Sequence, residues 1–207
     1  FLPPTFTIGK QQILNKYSDL LRQELANAGF KEALNFILCS ISEISSDLLV
    51  EESSNITRIA NPKTKDFQTA RNTLLPGILK NIQSNKSNRL PLSIFELGDV
   101  VEVSDTVVGA INKRMLAAAY TNSTSSGFEI IHGILDYVMT KMNIPLDVEK
   151  GYSIQPSTNP TFFPNRQTTV LFKGVVIGRM GVVHPDVLRN FEWSSPTSFL
   201  EIEIEPL

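Results

Sequence analysis

Side chains that commonly bind metal ions or act as nucleophiles are few in this sequence. His132 and His184 lie far apart, and no carboxylate or thiol cluster stands near either of them at a ligand spacing. Cys39, the only cysteine, lies in an apolar run with no neighbour that would lower the pKa of its thiol, and no Gly-x-Ser-x-Gly motif is present. We therefore expect no metal site and no catalytic nucleophile. We expect each histidine to make a polar contact within the fold, with His184 bonding nearby backbone at a helix start.

Arginine is of interest because its planar guanidinium can bind phosphate oxygens with two hydrogen bonds. Arg71 is the arginine best placed for a site, since it lies between the Asn61-Pro62 turn and the helix start at Pro76-Gly77. The same position suits a structural role. We favour a backbone or carboxylate partner for Arg71 inside the fold.

Two further segments could contact ligands but have simpler explanations. The segment Phe162-Phe163-Pro164-Asn165-Arg166 is typical of an exposed loop, and we favour a loop held on the core by its phenylalanines over a ligand site. Gly174, Gly178 and Gly181 lack the lysine of a phosphate-binding loop and the spacing of a dinucleotide-binding one. We assign these glycines to a turn and to close strand crossings.

The charge of the chain is weakly negative overall but unevenly distributed. The net charge is −2 at pH 7, whereas the segment 53–95 contains seven basic residues and one acidic residue, Asp66, for a net charge of +6. Such asymmetry is typical of a surface that faces phosphate or an acidic partner, although a solvated face explains it as well and is favoured. If the segment binds nucleic acid, Lys80, Lys86 and Arg89 are the candidate contacts.

The location and extent of the chain can be inferred in outline. A single cysteine permits no internal disulfide, which fits a reducing compartment such as the cytoplasm. No apolar run approaches the length of a membrane span, and no signal peptide is recognisable. The chain begins at Phe1 rather than at methionine, so we expect a piece of a longer protein that forms one domain over residues 1–207.

The periodicity of apolar residues predicts the elements that position these side chains. Helices are predicted where apolar residues recur at three- and four-residue intervals, and strands where short apolar or alternating runs are bounded by turns. The predicted helices are Lys10–Ala28 (ended by Gly29), Ser42–Leu49, one that starts near Pro76, Phe128–Met142 and His184–Phe191. The predicted strands are Phe30–Leu38, Ile56–Ala60, Leu92–Val103, Lys113–Thr121, Tyr152–Gln155, Gln167–Phe172, Val175–Val183 and Phe199–Glu205, after an extended lead-in at Phe1–Thr7.

The order of these elements indicates an α+β fold with an antiparallel sheet flanked by helices. The Lys173-Gly174 turn joins two strands as a tight hairpin does. Near the end of the chain, Glu201, Glu203 and Glu205 alternate with apolar residues, so the three glutamates are expected on one face of a strand. The helices are inserted between hairpins rather than alternating with strands, which argues against a parallel α/β fold.

Short motifs along the chain resemble, in their order, those of one family: the β subunit of phenylalanyl-tRNA synthetase, of the archaeal and eukaryotic cytosolic type. The resemblance extends over nearly the whole chain. Its markers are Thr7-Ile8-Gly9-Lys10, Ala28-Gly29-Phe30, Glu32-Ala33-Leu34, Leu38-Cys39-Ser40, Asn61-Pro62-Lys63-Thr64, Arg71 to Leu79, Phe95-Glu96 with Asp99-Val100, Gly127 to Gly133, Phe162-Phe163-Pro164-x-Arg166, Gly181 to Asp186 and Leu200-Glu201-Ile202. The family usually has glycine where Asn165 stands. Asparagine accepts a positive φ, so we expect the turn to survive.

The resemblance implies the catalytic-like core module of that subunit, with the fold of a class II aminoacyl-tRNA synthetase. In the family this module pairs with the catalytic module of the α subunit, and two such pairs form an α2β2 tetramer. The predicted helix Lys10–Ala28 and the strand after it resemble class II motif 1, which forms dimers. The resemblance thus suggests self-association of the isolated chain and partner contacts, unless the helix is buried only on its own sheet. The suggested contact residues are Ile13, Tyr17, Leu20, Leu21 and Leu25.

The resemblance also implies a test of catalysis, because adenylate formation uses arginines of class II motifs 2 and 3 to hold the ATP phosphates. The strand Leu92–Val103, in the place of motif 2, has acidic residues but no arginine, and the end of the chain, in the place of motif 3, has glutamates and no cation. We therefore expect a module without catalytic or cofactor-binding residues, which supports the ATP- and Mg²⁺-dependent charging of tRNA with phenylalanine by the whole ligase. Two alternatives stay open: direct contact with tRNA through residues 58–89, and a residual ATP or amino-acid site.

Overall fold

The computed structural model describes residues 9–207, and the predicted lead-in at Phe1–Thr7 lies outside this part of the chain. Helices α1 to α4 span Ile13–Asn27, Leu75–Ser84, Phe128–Lys141 and Pro185–Asn190. Strands β1 to β3 are two residues long, at Lys31–Glu32, Leu38–Cys39 and Thr69–Ala70. Strands β4 to β9 span Leu92–Val103, Ala110–Thr121, Tyr152–Pro156, Phe162–Phe172, Val175–Val183 and Thr197–Glu203.

A seven-stranded sheet with the order β1-β4-β5-β9-β8-β7-β6 forms the centre of the fold. Its neighbouring strands are antiparallel except for β1 and β4, which are parallel. The last strand, β9, lies between β5 and β8, so it is in the middle of the sheet. This arrangement confirms the predicted α+β fold with helices on an antiparallel sheet.

Helices cover both faces of the sheet, and the alternation along each strand divides the core between them. Phe95, Leu116 and Leu200 belong to the layer that packs against α1 and α3. Ile94 and Phe199 belong to the opposite layer, which packs against α2 and α4. The central strands therefore contain apolar runs that are buried on both faces, such as Leu116 to Ala119 of β5.

Several predicted boundaries are confirmed. Strands β4 and β8 have the predicted limits. Helix α1 begins at Ile13 rather than Lys10 and ends at Asn27, one residue before the predicted end and next to the predicted cap Gly29, whose φ is +90°. Pro76 lies in the first turn of α2, where its missing N–H costs no hydrogen bond. The two strands around Lys173-Gly174 pair as a hairpin, with Phe172 opposite Val175.

The predicted strand Phe30–Leu38 is wrong over most of its length. Only Lys31–Glu32 joins the large sheet, and Leu38 starts the separate strand β2. The chain leaves the sheet between them because Asn35 turns inward, where its Nδ2 donates to the Glu96 carboxylate at 2.7 Å. Leu34 consequently remains 82% exposed.

Three other elements differ from the prediction in type or by more than three residues, whereas β5 begins three residues earlier and β9 lies two residues earlier than predicted. The helix expected at Ser42–Leu49 is two 3₁₀ turns, because Ser45 leaves helical geometry between them. The strand expected at Ile56–Ala60 is reduced to one bridge, between Arg58 and Thr69. Strand β7 begins at Phe162 rather than Gln167, because a bulge interrupts its pairing without ending it.

Candidate functional site

The surface of α1 carries a stripe of exposed apolar side chains, formed by Ile13, Tyr17 and Leu20. They are 74%, 50% and 49% exposed, and their spacing of four and three residues places them on one side of the helix. Leu21 and Leu25 are 4% and 0% exposed because they pack between α1 and the sheet. The predicted partner contacts are therefore narrowed to the three stripe residues, since the other two belong to the core of this chain.

Polar contacts fix α1 on the sheet and so fix the direction in which the stripe points. Arg22 donates from Nε to the Glu32 carboxylate at 2.8 Å and from Nη2 to the Leu97 carbonyl at 3.1 Å. Arg114 of β5 donates to the Ser18 hydroxyl at 2.8 Å and pairs with Asp99. Because these contacts hold α1 on the sheet, the stripe is presented in one orientation.

A groove of about 530 Å³, lined by apolar side chains and by Lys141, Asn143 and Glu205, borders this stripe. Its walls include Ile13 and Tyr17 of α1, Met142 at the end of α3, and Ile204 and Leu207 after β9. The stripe and the groove together form one surface, which we call the α1 surface. Such a surface is typical of a protein interface rather than of a small-molecule site.

A second set of exposed apolar side chains follows β1. Leu34 and Phe36 are 82% and 79% exposed, and the Phe36 ring meets the ring of Phe67 edge to face at 5.9 Å. The pair lies beyond the strand that follows α1, at the edge of the sheet. The apolar pattern of the sequence did not predict that these side chains are exposed, because it indicated a strand for the whole segment.

Arg71 has the structural partners that its sequence position suggested. Its Nη1 donates to the Glu96 carboxylate at 2.6 Å, and its Nε donates to the Asp99 carbonyl at 3.0 Å. Arg71 and Glu96 are almost fully buried, with side chains 7% and 2% exposed. This buried ion pair confirms the prediction of a carboxylate and a backbone partner inside the fold.

Glu201 of β9 has a role that the sequence did not reveal. Its carboxylate accepts hydrogen bonds from the Thr73 hydroxyl at 2.8 Å and from the Leu74 backbone N–H at 2.6 Å. Arg179 of β8 donates to the same carboxylate at 3.2 Å. Glu201 therefore fixes the start of α2, where the exposed N–H groups favour a negative charge. Glu201 and Glu203 share one face as predicted, but β9 ends at Glu203 and Glu205 lies in the turn after it. Glu201 is buried and paired with Arg179 rather than free to repel a ligand.

A polar cleft of about 490 Å³ opens over this face of the sheet. Lys113 lies in it, 2.9 Å from Glu102 and 3.7 Å from Glu203, and the hydrogen bond to Glu102 raises the pKa of Lys113. Arg179 and Glu201 complete the charged lining. With three carboxylates against two cations, the cleft has no excess positive charge with which to bind a triphosphate.

The candidate nucleic-acid contacts are not equivalent. Lys80 on α2 forms an ion pair with Glu43 at 2.9 Å. Lys86 and Arg89 follow the end of α2 and are exposed, and neither takes part in an ion pair within residues 9–207. The two residues after α2 are therefore more available to a phosphate group than Lys80.

The other candidates occupy structural positions, as predicted. His184 accepts a hydrogen bond from the Asp186 backbone N–H at 3.2 Å, and the His132 ring lies 3.3 Å from the Asp136 carboxylate. Cys39 is buried, and burial raises the pKa of its thiol to about 11. In the part of the chain from residue 9 onward, no three metal-binding side chains cluster and no helix is long and apolar enough to cross a membrane.

The segment Phe162 to Arg166 forms the bulge in β7. Phe162 is 1% exposed and packs on the core, whereas Phe163 is 40% exposed. Asn165 has a φ of +61°, which confirms that asparagine keeps the left-handed turn. One of the two phenylalanines thus holds the segment on the core, and the other lies at the surface.

Comparison with known proteins identifies the family. A model described as the phenylalanyl tRNA synthetase beta chain CLM domain matches residues 2–204. The chain belongs to this family. The beta subunit of phenylalanine–tRNA ligase from Homo sapiens is 48% identical over 208 residues, which cover 99% of this chain and 35% of the relative. The Drosophila melanogaster subunit is 45% identical over 210 residues, covering 99% and 36%, and the subunit of Arabidopsis thaliana named cytoplasmic is 39% identical over 209 residues, covering 96% and 35%.

The CLM-domain chain thus spans about a third of the length of these relatives. Among solved structures, the pyrrolysyl tRNA synthetase PylSc of Desulfitobacterium hafniense aligns with a TM-score of 0.75 at 14% identity. The alignment covers 94% of this chain and 67% of PylSc. This likeness confirms the class II synthetase-like fold that the resemblance implied.

Proposed function

We propose that this CLM-domain chain is a non-catalytic assembly module of a phenylalanine–tRNA ligase β subunit, and that it pairs with the catalytic α subunit through the α1 surface. The observation that carries the proposal is the stripe of Ile13, Tyr17 and Leu20, which is exposed on a helix otherwise fixed to the sheet. Burial of one such side chain stabilises an association by roughly 1.5–3 kcal/mol before the costs of binding.

The proposed pairing places the module in an α2β2 ligase that charges tRNA with phenylalanine. ATP and Mg²⁺ are then bound by the α subunit, and this module holds neither. The cytoplasm is the proposed location, in line with the name of the Arabidopsis relative and with the single free cysteine.

Three arginines next to the sheet are each paired with a carboxylate of this chain, which supports the absence of catalysis. Sequence inspection of the motif 2 and motif 3 positions missed Arg114 and Arg179, which lie on β5 and β8. Arg114 pairs with Asp99, Arg179 with Glu201, and Arg71 with Glu96. A guanidinium that already holds a carboxylate in the fold must break that pair before it can hold a phosphate, which makes a triphosphate clamp unfavourable.

Activity measurements can test the proposal that the α subunit catalyses and this module does not. We expect phenylalanine-dependent exchange of pyrophosphate into ATP with the two subunits together, and none with the β subunit alone. Lys113→Gln, which alters the cleft over the sheet, is expected to leave the exchange rate of the complex within twofold. Exchange by the β subunit alone would support the residual ATP or amino-acid site instead. A tenfold loss of exchange in the Lys113 variant, together with binding of ATP to the isolated β subunit, would also support it.

A second candidate function is direct contact with tRNA, which the exposed positions of Lys86 and Arg89 favour. Each phosphate that a protein cation neutralises adds roughly 0.7–0.9 to the slope of log affinity against log salt. The triple variant Lys80→Ala, Lys86→Ala and Arg89→Ala should therefore weaken tRNA binding by the ligase and lower that slope by about two. Lys150→Ala, an exposed lysine elsewhere, is the matched control. An unchanged slope in the triple variant excludes this candidate.

A further inference from the structure

The bulge in β7 lifts a short segment out of the sheet. Phe162 is paired with Val183 and Gln167 with Gly181, so four residues of β7 lie opposite Val182 alone. Bulges of this kind re-aim side chains that a regular strand would point into the sheet layers. Here the re-aimed side chains are Phe163 and Arg166, and both are exposed.

Hydrogen bonds hold the bulge in one shape. The buried Gln167 amide donates from Nε2 to the carbonyls of Asn159 at 3.1 Å and Phe162 at 3.4 Å. Its Oε1 accepts from the Asn159 backbone N–H at 2.6 Å and from the Ser157 hydroxyl at 3.1 Å. Phe163 and Arg166 are therefore presented by an ordered segment, which lowers the entropy cost of binding to them.

Arg166 lies where two surface grooves meet. Each groove has a volume of about 730 Å³, and Ser126, Arg166 and Val182 line both. Phe163 and Trp193 form apolar walls of the first groove. We call the bulge and these two grooves the bulge surface. An extended chain that follows both grooves has to pass the Arg166 guanidinium.

The charges on the bulge surface leave a site for one carboxylate. Arg189 in the first groove is paired with Asp186 at 2.8 Å. Arg166 takes part in no ion pair within residues 9–207, and its guanidinium lies 5.8 Å from the centre of the Phe163 ring. Glu129, which borders the second groove, is in the first turn of α3, where the helix dipole offsets its charge. The uncompensated charge at the junction is thus that of an arginine, which complements a carboxylate.

We propose that the bulge surface binds an extended protein segment that places a carboxylate against Arg166 and an apolar side chain against Phe163 and Trp193. Exposed aromatic and arginine side chains together are typical of protein interfaces. A nucleic acid strand fits less well, because it is bound through several uncompensated cations, whereas Arg189 is paired with Asp186 and only the charge of Arg166 is left at the junction. This surface involves β7, β8, α4 and the start of α3, whereas the α1 surface involves α1 and the end of α3, so the two bind separate partners or separate parts of one.

A peptide selection with the full-length β subunit in its purified ligase complex tests the proposal. A random octapeptide library displayed on phage is selected against the wild-type complex and against Arg166→Gln and Arg189→Gln complexes. The wild type is expected to enrich peptides with Asp or Glu beside an apolar residue, and the Arg189 variant to enrich the same peptides. The Arg166 variant is expected not to enrich them.

Fluorescence polarisation of the most enriched peptide supplies the quantitative result. Replacing its acidic residue by the amide should weaken binding about tenfold, the effect expected from one charge-assisted hydrogen bond, and Arg166→Gln should have the same effect. Phe163→Ala should also weaken binding. Thermal unfolding of each variant is measured alongside, and both changed residues are exposed. The proposal is overturned if no peptide is enriched, if the amide peptide binds equally well, if Arg166→Gln changes nothing, or if octauridylate binds through Arg166 and peptides do not.

Discussion

Two side chains, those of Arg71 and Thr73, anchor the segment before α2 in this fold. Arg71 and Thr73, two positions apart, reach two different carboxylates, those of Glu96 on β4 and Glu201 on β9. Asn35 donates a further hydrogen bond to Glu96. The buried charges are thus paired and hydrogen-bonded, which is the condition under which they are tolerated in a core.

Arg71→Ala is expected to destabilise the 207-residue chain by about 3–5 kcal/mol, because it leaves the Glu96 carboxylate buried without its counter-charge. Urea unfolding measures the change in the free energy of unfolding. Lys80→Ala is the matched control, since it removes a partly exposed ion pair with Glu43 and should cost at most about 1 kcal/mol. Equal destabilisation in the two variants would contradict the structural role given to Arg71.

Cys39 should make the stability of the chain depend on alkaline pH. Burial raises the pKa of its thiol from 9.0 to about 11, so the folded state favours the neutral thiol. The stabilisation of the folded state by this neutral thiol is therefore complete below pH 9 and is lost as the pH rises toward 11. The difference in unfolding free energy between wild type and Cys39→Ala should therefore fall between pH 9 and pH 11. A difference that is constant over this range would show that the thiol is not buried as described.

Among the structural elements, β8 and β9 depend on the close approach of their backbones. A Cβ atom at Gly178 would overlap the Glu201 carbonyl oxygen, and one at Gly181 would lie 2.8 Å from an atom of the Phe162 ring. These contacts confirm that the two glycines serve strand crossings rather than phosphate binding. The middle of the sheet therefore tolerates no side chain at Gly178.

Gly178→Ala is expected to unfold the chain or to destabilise it by several kcal/mol, because β8 and β9 must separate to admit the methyl group. Gly133→Ala is the matched control within the same chain. Gly133 lies in α3 with open space around it, so alanine should stabilise the helix by up to about 1 kcal/mol. Thermal unfolding of both variants compares the two effects, and a stabilising Gly178→Ala would contradict the described register of β8 and β9.

The long elements could be predicted from the sequence because their apolar patterns agree with their tertiary positions. Leu92–Val103 and Val175–Val183 contain buried apolar residues on both faces over much of their length, and their β-branched residues favour a strand as well. Phe30–Leu38 has an equally apolar pattern but is bent by one side-chain contact, that of Asn35 with Glu96 far along the chain. No local sequence pattern predicts this contact between Asn35 and Glu96.

For the molecule as a whole, the family could be predicted from ordered motifs, whereas the partner surface could be predicted only in part. The resemblance suggested five contact residues on α1, but burial against the sheet separates Leu21 and Leu25 from the exposed stripe. The burial of Glu201 could not be predicted from its alternation with apolar residues for the same reason. Distinguishing the two sides of an element requires knowledge of what packs on it.

The isolated 207-residue chain is expected to self-associate, because the stripe of Ile13, Tyr17 and Leu20 is left exposed by the side chains of residues 9–207. Sedimentation velocity should show concentration-dependent dimers or larger species for the wild type. Leu20→Glu should shift the chain to monomer, whereas Ala26→Glu, an exposed position on the same helix away from the stripe, should not. A wild-type chain that is monomeric at high concentration would contradict this prediction.

The affinity between full-length α and β subunits tests the central claim most directly. We predict that Tyr17→Glu combined with Leu20→Glu in the β subunit weakens pairing at least a hundredfold, roughly the effect of exposing two buried apolar side chains, while Ala26→Glu leaves the dissociation constant within threefold. Wild-type affinity in the double variant, with its fold intact by circular dichroism, would contradict the claim that this module pairs with the α subunit through the α1 surface.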